Sequence, residues 1–275
     1  MASTGDVRTL ARQAAAARQP ATITLAARLR PALVPAASIG GLVLLWYLGA
    51  LLADDPRRLP TPGAVLQAMV AYTASGELPY HLSVTLLRVA ASFVIAMAIG
   101  TAIGLAMGRA PLFDRFAHPW LVFFLNIPAL VTIVLAYIWI GLVESALIFA
   151  VAINKIPNAV VTVREGARAL ERDLLEMASV FRIGWRRTLQ HVVLPQLYPY
   201  LAAAARSGLA LIWKIVLVTE LLGRSSGDGF QIGLHFQLFD VTGILAYALA
   251  FVAVIQLIEW TILLPLERHV GRWRR

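Results

Sequence analysis

Residues 164–195 read REGARALERDLLEMASVFRIGWRRTLQHVVLP and lie between two apolar runs, 144–163 and 197–222. A connection of about 30 residues is far longer than the two to eight usual between neighbouring helices. It is not a disordered spacer, because Leu170, Leu174, Leu175, Ala178, Phe181, Ile183, Leu189, Val192 and Val193 make it too apolar for that state. Leu170, Leu174, Ala178 and Phe181 recur at the spacing of one helix face. Gly184 permits a turn, a second short helix is expected over 185–193, and Pro195 limits its continuation. The segment is therefore expected to form two short helices outside the membrane, with Arg172, Arg182, Arg186 and Arg187 facing water or a partner.

The runs on either side belong to a longer series. Six stretches have the length an apolar helix needs to cross hydrocarbon, about 20 residues: 33–53, 82–107, 119–142, 144–163, 197–222 and 241–264. The chain has 275 residues, 59% of them apolar and only 14% charged, against about 25% charged in soluble domains. A soluble fold of this length cannot hide so much apolar surface. The runs do not alternate as barrel strands do, and lipid offers no partner for open backbone groups, so they are helices. The expected fold is an all-α membrane protein with six transmembrane helices and one long loop between the fourth and fifth.

The net charge of +9 does not point to nucleic acid, because the basic residues cluster in short connections, where they set membrane orientation. With the N-terminus inside, the inner segments hold Arg8, Arg12, Arg18, Arg28, Arg30, Arg109, Arg115, Arg164, Arg168, Arg172, Arg182, Arg186, Arg187, Arg268, Arg272, Arg274 and Arg275. Outside are only Arg57, Arg58 and Arg224. Both termini are expected in the cytoplasm: a tail over 1–32, the transmembrane region over 33–270 with its loop at 164–195, and a second tail over 271–275. The Arg- and Ala-rich start reads either as this tail or as an organelle transit peptide. Outside, 54–81 is too charged and broken to span and holds a short surface helix over 64–72. Segment 223–240 is expected to be an ordered loop or a re-entrant piece.

Several residues inside the runs need explaining. Gly100, Gly104 and Gly108 stand four apart, on one face of span two, where small residues let two helix backbones approach. A charge at the centre of a span costs about 2.5–3.5 kcal/mol. Asn126, Asn154, Lys155, Lys214 and Glu220 therefore read either as lining a translocation path or as structural: Lys155 snorkelling, Lys214 pairing with Glu220, prolines kinking helices. Arg88 reads as a structural anchor. With no cysteine, thiol chemistry and zinc clusters are excluded. The five histidines are scattered and form no catalytic or metal-binding pattern, and an intramembrane enzyme would need such groups to converge. No phosphate-binding G-x-x-x-x-G-K-[ST] occurs; the only lysines are Lys155 and Lys214.

Glu176-Met177-Ala178, followed by Leu194-Pro195, resembles the EAA loop of ABC importer permeases. Leu59-Pro60-Thr61-Pro62, Thr219-Glu220-Leu221-Leu222 and Ser226-Gly227-Asp228-Gly229-Phe230 are similar to segments of the alkanesulfonate, taurine and nitrate branch, and the likeness covers roughly 33–270. Met177 stands where that family usually has Ala, and Arg182 where it has Gly. The resemblance implies a permease subunit whose loop, through Glu176, Ala178, Arg182, Gly184, Leu194 and Pro195, docks into a cytoplasmic ATPase. It implies a transporter of two copies of this permease, or of this one with a sister, two ATPases carrying the ATP and Mg, and a periplasmic substrate-binding protein, all at a bacterial inner membrane. The chain itself would hold no cofactor and be no enzyme. The solute would be small and anionic, moved by alternating access. A secondary transporter and a membrane scaffold subunit are the alternatives; the absence of an internal repeat speaks against the first.

Overall fold

The computed structural model describes residues 25–263 and 265; most of the expected N-terminal tail and the expected C-terminal tail lie outside them. The described residues form helices joined by short connections. The first, α1 (Leu25–Ala53), is a unit by itself, and its stretch Val34–Ala53 is long and apolar enough to cross a bilayer.

The second unit begins at Asp55. In it, α2 (Pro62–Ala74) starts where Thr61 Oγ1 accepts the Ala64 N–H at 3.3 Å and Pro62 takes the first helical position. It covers and extends the short surface helix expected over 64–72. Next come α3 (Glu77–Arg109), α4 (Pro111–Asn126), α5 (Ala129–Ile140), α6 (Glu144–Arg168), α7 (Arg172–Val180) and α8 (Trp185–Thr188). A π turn, Leu189–Val193, leads into α9 (Leu194–Gly223), followed by α10 (Asp228–Gln237) and α11 (Val241–Ile258).

Two expectations about continuity change. The stretch 119–142 is not one straight span, because α4 and α5 meet at a 95° bend. Ile127 is extended (φ −72°, ψ 124°) as residues before proline tend to be, and Pro128 has no N–H with which to continue the ladder. The helix over 185–193 is not stopped by Pro195. It runs through into the span, giving one helix from Trp185 to Gly223. Pro195 sits in the first turn of α9, just after the π turn, where the wider winding accommodates the missing N–H. Five helices thus have spanning length and composition among the described residues, six with the bent pair counted as one.

The glycine stripe of α3 lies against α6. A Cβ on Gly100 would stand 2.5 Å from the Ala159 Cβ, and one on Gly104 would stand 2.8 Å from the Val160 carbonyl oxygen. The Gly108 site faces Ala167. Packing drives helix association in lipid, so this close seam holds α3 on α6. Beside it Leu78, Leu82, Val89, Leu147, Val151, Ile212, Trp213, Val216, Tyr247 and Phe251 form the main core shared by α3, α6, α9 and α11. Gly104→Val should lower the stability of the purified protein in thermal unfolding by about 1–3 kcal/mol. The same change at Gly63, which faces open space, should leave it near wild type.

Candidate functional site

At one end of the bundle α7 and α8 form an elbow. Ala178 is buried and Leu174 and Leu175 are half-buried, over a cluster of Ala167, Leu170, Val193 and Leu197. The start of α7 is tied to α9, since the Glu171 N–H donates to Gln196 Oε1 at 2.9 Å. Gly166 leaves room for the Tyr200 ring, which a Cβ there would meet at 2.5 Å. Asp114 of α4 joins Arg168 at 2.6 Å and Arg164 at 3.4 Å. The elbow is thus held on α6 and α9 by apolar contact and by a backbone hydrogen bond.

The turn itself is at Arg182, not at Gly184. The Ile183 N–H donates to the Ala178 carbonyl at 2.9 Å and the Arg182 N–H to the Ser179 carbonyl at 3.0 Å. This paired closure ends many helices and needs a left-handed residue between, usually glycine. Arg182 takes that role with φ +47°, whereas Gly184 has φ −57°, which any residue adopts. The cost is the contact of its Cβ with the backbone, about 1–2 kcal/mol.

What the elbow presents is apolar and basic. Val180, Phe181 and Trp185 are each more than 70% exposed, the Arg186 guanidinium lies 5.5 Å from the Trp185 ring centre, and Arg182, Arg187 and Glu176 are exposed. Phe181, expected on the inner face with Ala178, points out because the left-handed turn follows it directly. Leu194 is half-buried and Pro195 exposed at the start of α9.

The polar residues inside the spans separate into three kinds. Glu220 does not pair with Lys214 and lies on no open face: it is fully buried, 2.7 Å from Arg88 Nη1, with Thr85 Oγ1 donating at 2.9 Å and the Gly229 N–H at 2.9 Å. Arg88 also reaches Glu144 at 2.6 Å and the Ser226 carbonyl at 2.6 Å. Arg224 bonds Glu144 and the Leu142 carbonyl, both at 2.5 Å. This network ties α3, α6, α9 and the start of α10 together at the end of the bundle away from the elbow. Lys155 is buried in the middle of α6 with no acceptor for Nζ, its stem laid over Gly208, where a Cβ would stand 2.5 Å from Cε. Asn154 donates to the Ala150 carbonyl at 2.9 Å and Asn126, at the bend, to the Val122 carbonyl at 2.7 Å. Lys214 is exposed, on a stripe of α9 with Ser207, Leu211, Val218 and Leu221. Beside the end of that stripe a cleft of ≈ 430 Å³ opens between Leu142, Leu221, Arg224, Phe230, Leu234 and Gln237.

Arg88 as the hub was not evident from the sequence beyond its reading as an anchor. A signal was present: Arg88 lies a turn or two into span two and Glu220 a residue or two before the end of span five, which places both toward the same side of the membrane, within reach of a long side chain.

Helices of this length, bent once at a proline and cross-tied at one end, define an α-helical membrane-spanning protein. Among the described residues no cluster of three metal-binding side chains exists. Residues 96–264 match the family described as binding-protein-dependent transport system inner membrane component, and the chain belongs to that family. A putative aliphatic sulfonates transport permease, SsuC of Bacillus subtilis (strain 168), is 27% identical over 85% of this chain and 84% of its own. The taurine transport system permease TauC of Escherichia coli (strain K12) is 24% identical over 86% and 89%. In fold the chain is similar to one in the MetNI methionine ABC transporter, solved in inward-facing conformations, with a TM-score of 0.56, 20% identity, and 68% of this chain and 92% of that one covered. These relationships place it among the ABC importer permeases of the alkanesulfonate, taurine and nitrate branch.

Two outcomes follow from the geometry. Arg182→Gly should stabilise the elbow by about 0.5–1 kcal/mol, the relief of strain less the added chain entropy, read as slower amide exchange over residues 178–190, while Gly184→Ala should be neutral. Glu220→Ala should cost about 3–5 kcal/mol in thermal unfolding by leaving Arg88 under-compensated in a buried site, whereas Lys214→Met should not.

Proposed function

We propose that this chain is the membrane-spanning subunit of an ATP-driven importer, that its elbow docks on a separate cytoplasmic ATPase, and that two copies enclose the path of a small anion. The observation that carries the reading is the exposed apolar and basic surface of Val180, Phe181, Arg182, Trp185 and Arg186, held rigidly on the end of the 39-residue helix Trp185–Gly223. Exposed aromatic and arginine side chains on a fixed support are what protein interfaces use as anchors. Docking there requires the elbow to face the cytoplasm, in agreement with the excess of arginine on that side. Closure of the ATPases on ATP would then swing the elbow, and with it α9, and alternate the opening of the path by rigid-body motion. A binding protein on the other side would deliver the solute, as the family description implies.

Lys214 supports the paired arrangement. A lysine at mid-span facing hydrocarbon costs about 2.5–3.5 kcal/mol, and Lys214 has no ion-pair partner among the described residues. Covering this stripe of α9 with a second copy, or with water in a path between copies, removes that cost. Its charge favours an anionic solute, with Lys155 of α6 assigned to the same path, and the names of the sulfonate and taurine relatives agree. Asn126 and Asn154 are assigned to the same path; Glu220, bound by Arg88, is assigned to structure.

Phe181→Asp should reduce co-purification of the ATPase subunit at least tenfold, on the order of the 2 kcal/mol typical of an interface anchor, and abolish ATP-dependent uptake in proteoliposomes while the permease stays folded. Retained association would refute the docking surface. Lys214→Met should lower uptake of an anion with assembly unchanged; unaltered uptake would remove Lys214 from the path.

A further inference from the structure

Asp228 is the first residue of α10, fully buried, with neither carboxyl oxygen hydrogen-bonded. Its backbone is well held, since its N–H donates to Thr85 Oγ1 at 2.7 Å. The same hydroxyl donates to Glu220, so the two carboxyls belong to one buried site.

The charges around that site are already matched. From α3 it is faced by Arg88, from α9 by Glu220, from α11 by the Tyr247 hydroxyl, and close by stand Glu144 and Arg224. Two guanidiniums balance two carboxylates, and every nitrogen of Arg88 is engaged. His81 of α3 offers no positive charge: its Nδ1 accepts the Gly227 N–H at 3.0 Å and so carries no proton. The neutral ring then bears its hydrogen on Nε2, which lies 2.8 Å from the Gln231 side-chain amide. The other titratable groups, His235 with Asp240 at 2.9 Å at the far end of α10 and Glu77 and Tyr72, which act on Tyr247, supply no counter-ion for Asp228. A third carboxylate in this site would have no counter-ion.

We propose that Asp228 holds a proton, and that this bound proton is the ligand that allows α10 to close onto α3, α9 and α11. Burial, with Glu220 beside it, pushes the Asp228 carboxyl from 3.8 up to about 8. The closed form therefore binds one more proton than the open form between those values. Closure is strongest in acid, weakens as pH rises through that window, and is weakest above pH 8. The side that bears α10 is thereby made sensitive to ambient pH. This reading does not depend on the transported solute or on the ATPase.

The test is infrared spectroscopy and amide exchange on the full chain in lipid nanodiscs. Wild type should show a protonated-carboxyl band at pH 6 that fades with a midpoint near 8, and Asp228→Asn should lack it. Opening of α10, corrected for intrinsic exchange, should rise by up to about tenfold per pH unit between pH 5 and 7 in wild type and stay flat in Asp228→Asn. No band at pH 6 in wild type overturns the proposal. So does a band that survives in Asp228→Asn but vanishes in Glu220→Gln, and so does an equal pH response of α10 in wild type and Asp228→Asn.

Discussion

The backbone ladder from Trp185 to Gly223 is the constraint on which the rest depends. At about 1.5 Å per residue such a helix is roughly 58 Å long, well beyond a hydrocarbon core of about 30 Å. One end carries the elbow, and the other ends beside Glu220 and Arg224. A flexible joint at Pro195 would dissipate any movement of the elbow. The π turn over Leu189–Val193 keeps the helix continuous past that proline, so one unbroken element joins the elbow to the polar network at the other end.

That network is not a source of stability in itself. Removing Arg88, Glu144 and Glu220 from water costs several kcal/mol per charge, and their attraction largely repays it without surplus. Its effect is to specify which helices meet. Arg88 engages Glu144 and Glu220 together only when α3, α6 and α9 are in register. The glycine seam between α3 and α6 acts in the same direction, since only one register sets Gly104 beneath the Val160 carbonyl. Packing and charge together fix one assembly in a solvent that supplies no hydrophobic force between helices.

Much of the fold was legible in the sequence because lipid leaves few choices: apolar runs of spanning length and an amphipathic loop between the fourth and fifth. The elbow's helix face, Phe181 excepted, and the use of Ala178 as its inner contact could be read from spacing alone. Three things were not. The bend at Pro128 and the passage through Pro195 are the same residue type with opposite outcomes, decided by whether the helix can widen or must end. The turn fell at Arg182 because hydrogen bonds to Ala178 and Ser179 fix it there, whatever glycine lies nearby. The partner of Glu220 was set by depth rather than by nearness in sequence, so Arg88, far along the chain, displaced Lys214.

The chain has no cysteine, so a single thiol placed at Phe181 is unambiguous. With the ATPase subunit co-expressed and carrying a thiol in its membrane-facing cleft, Phe181→Cys should cross-link to it, and Leu238→Cys, at the opposite end of the bundle, should not. Cross-linking from Leu238→Cys, or none from Phe181→Cys in an assembly that still transports, would contradict the account.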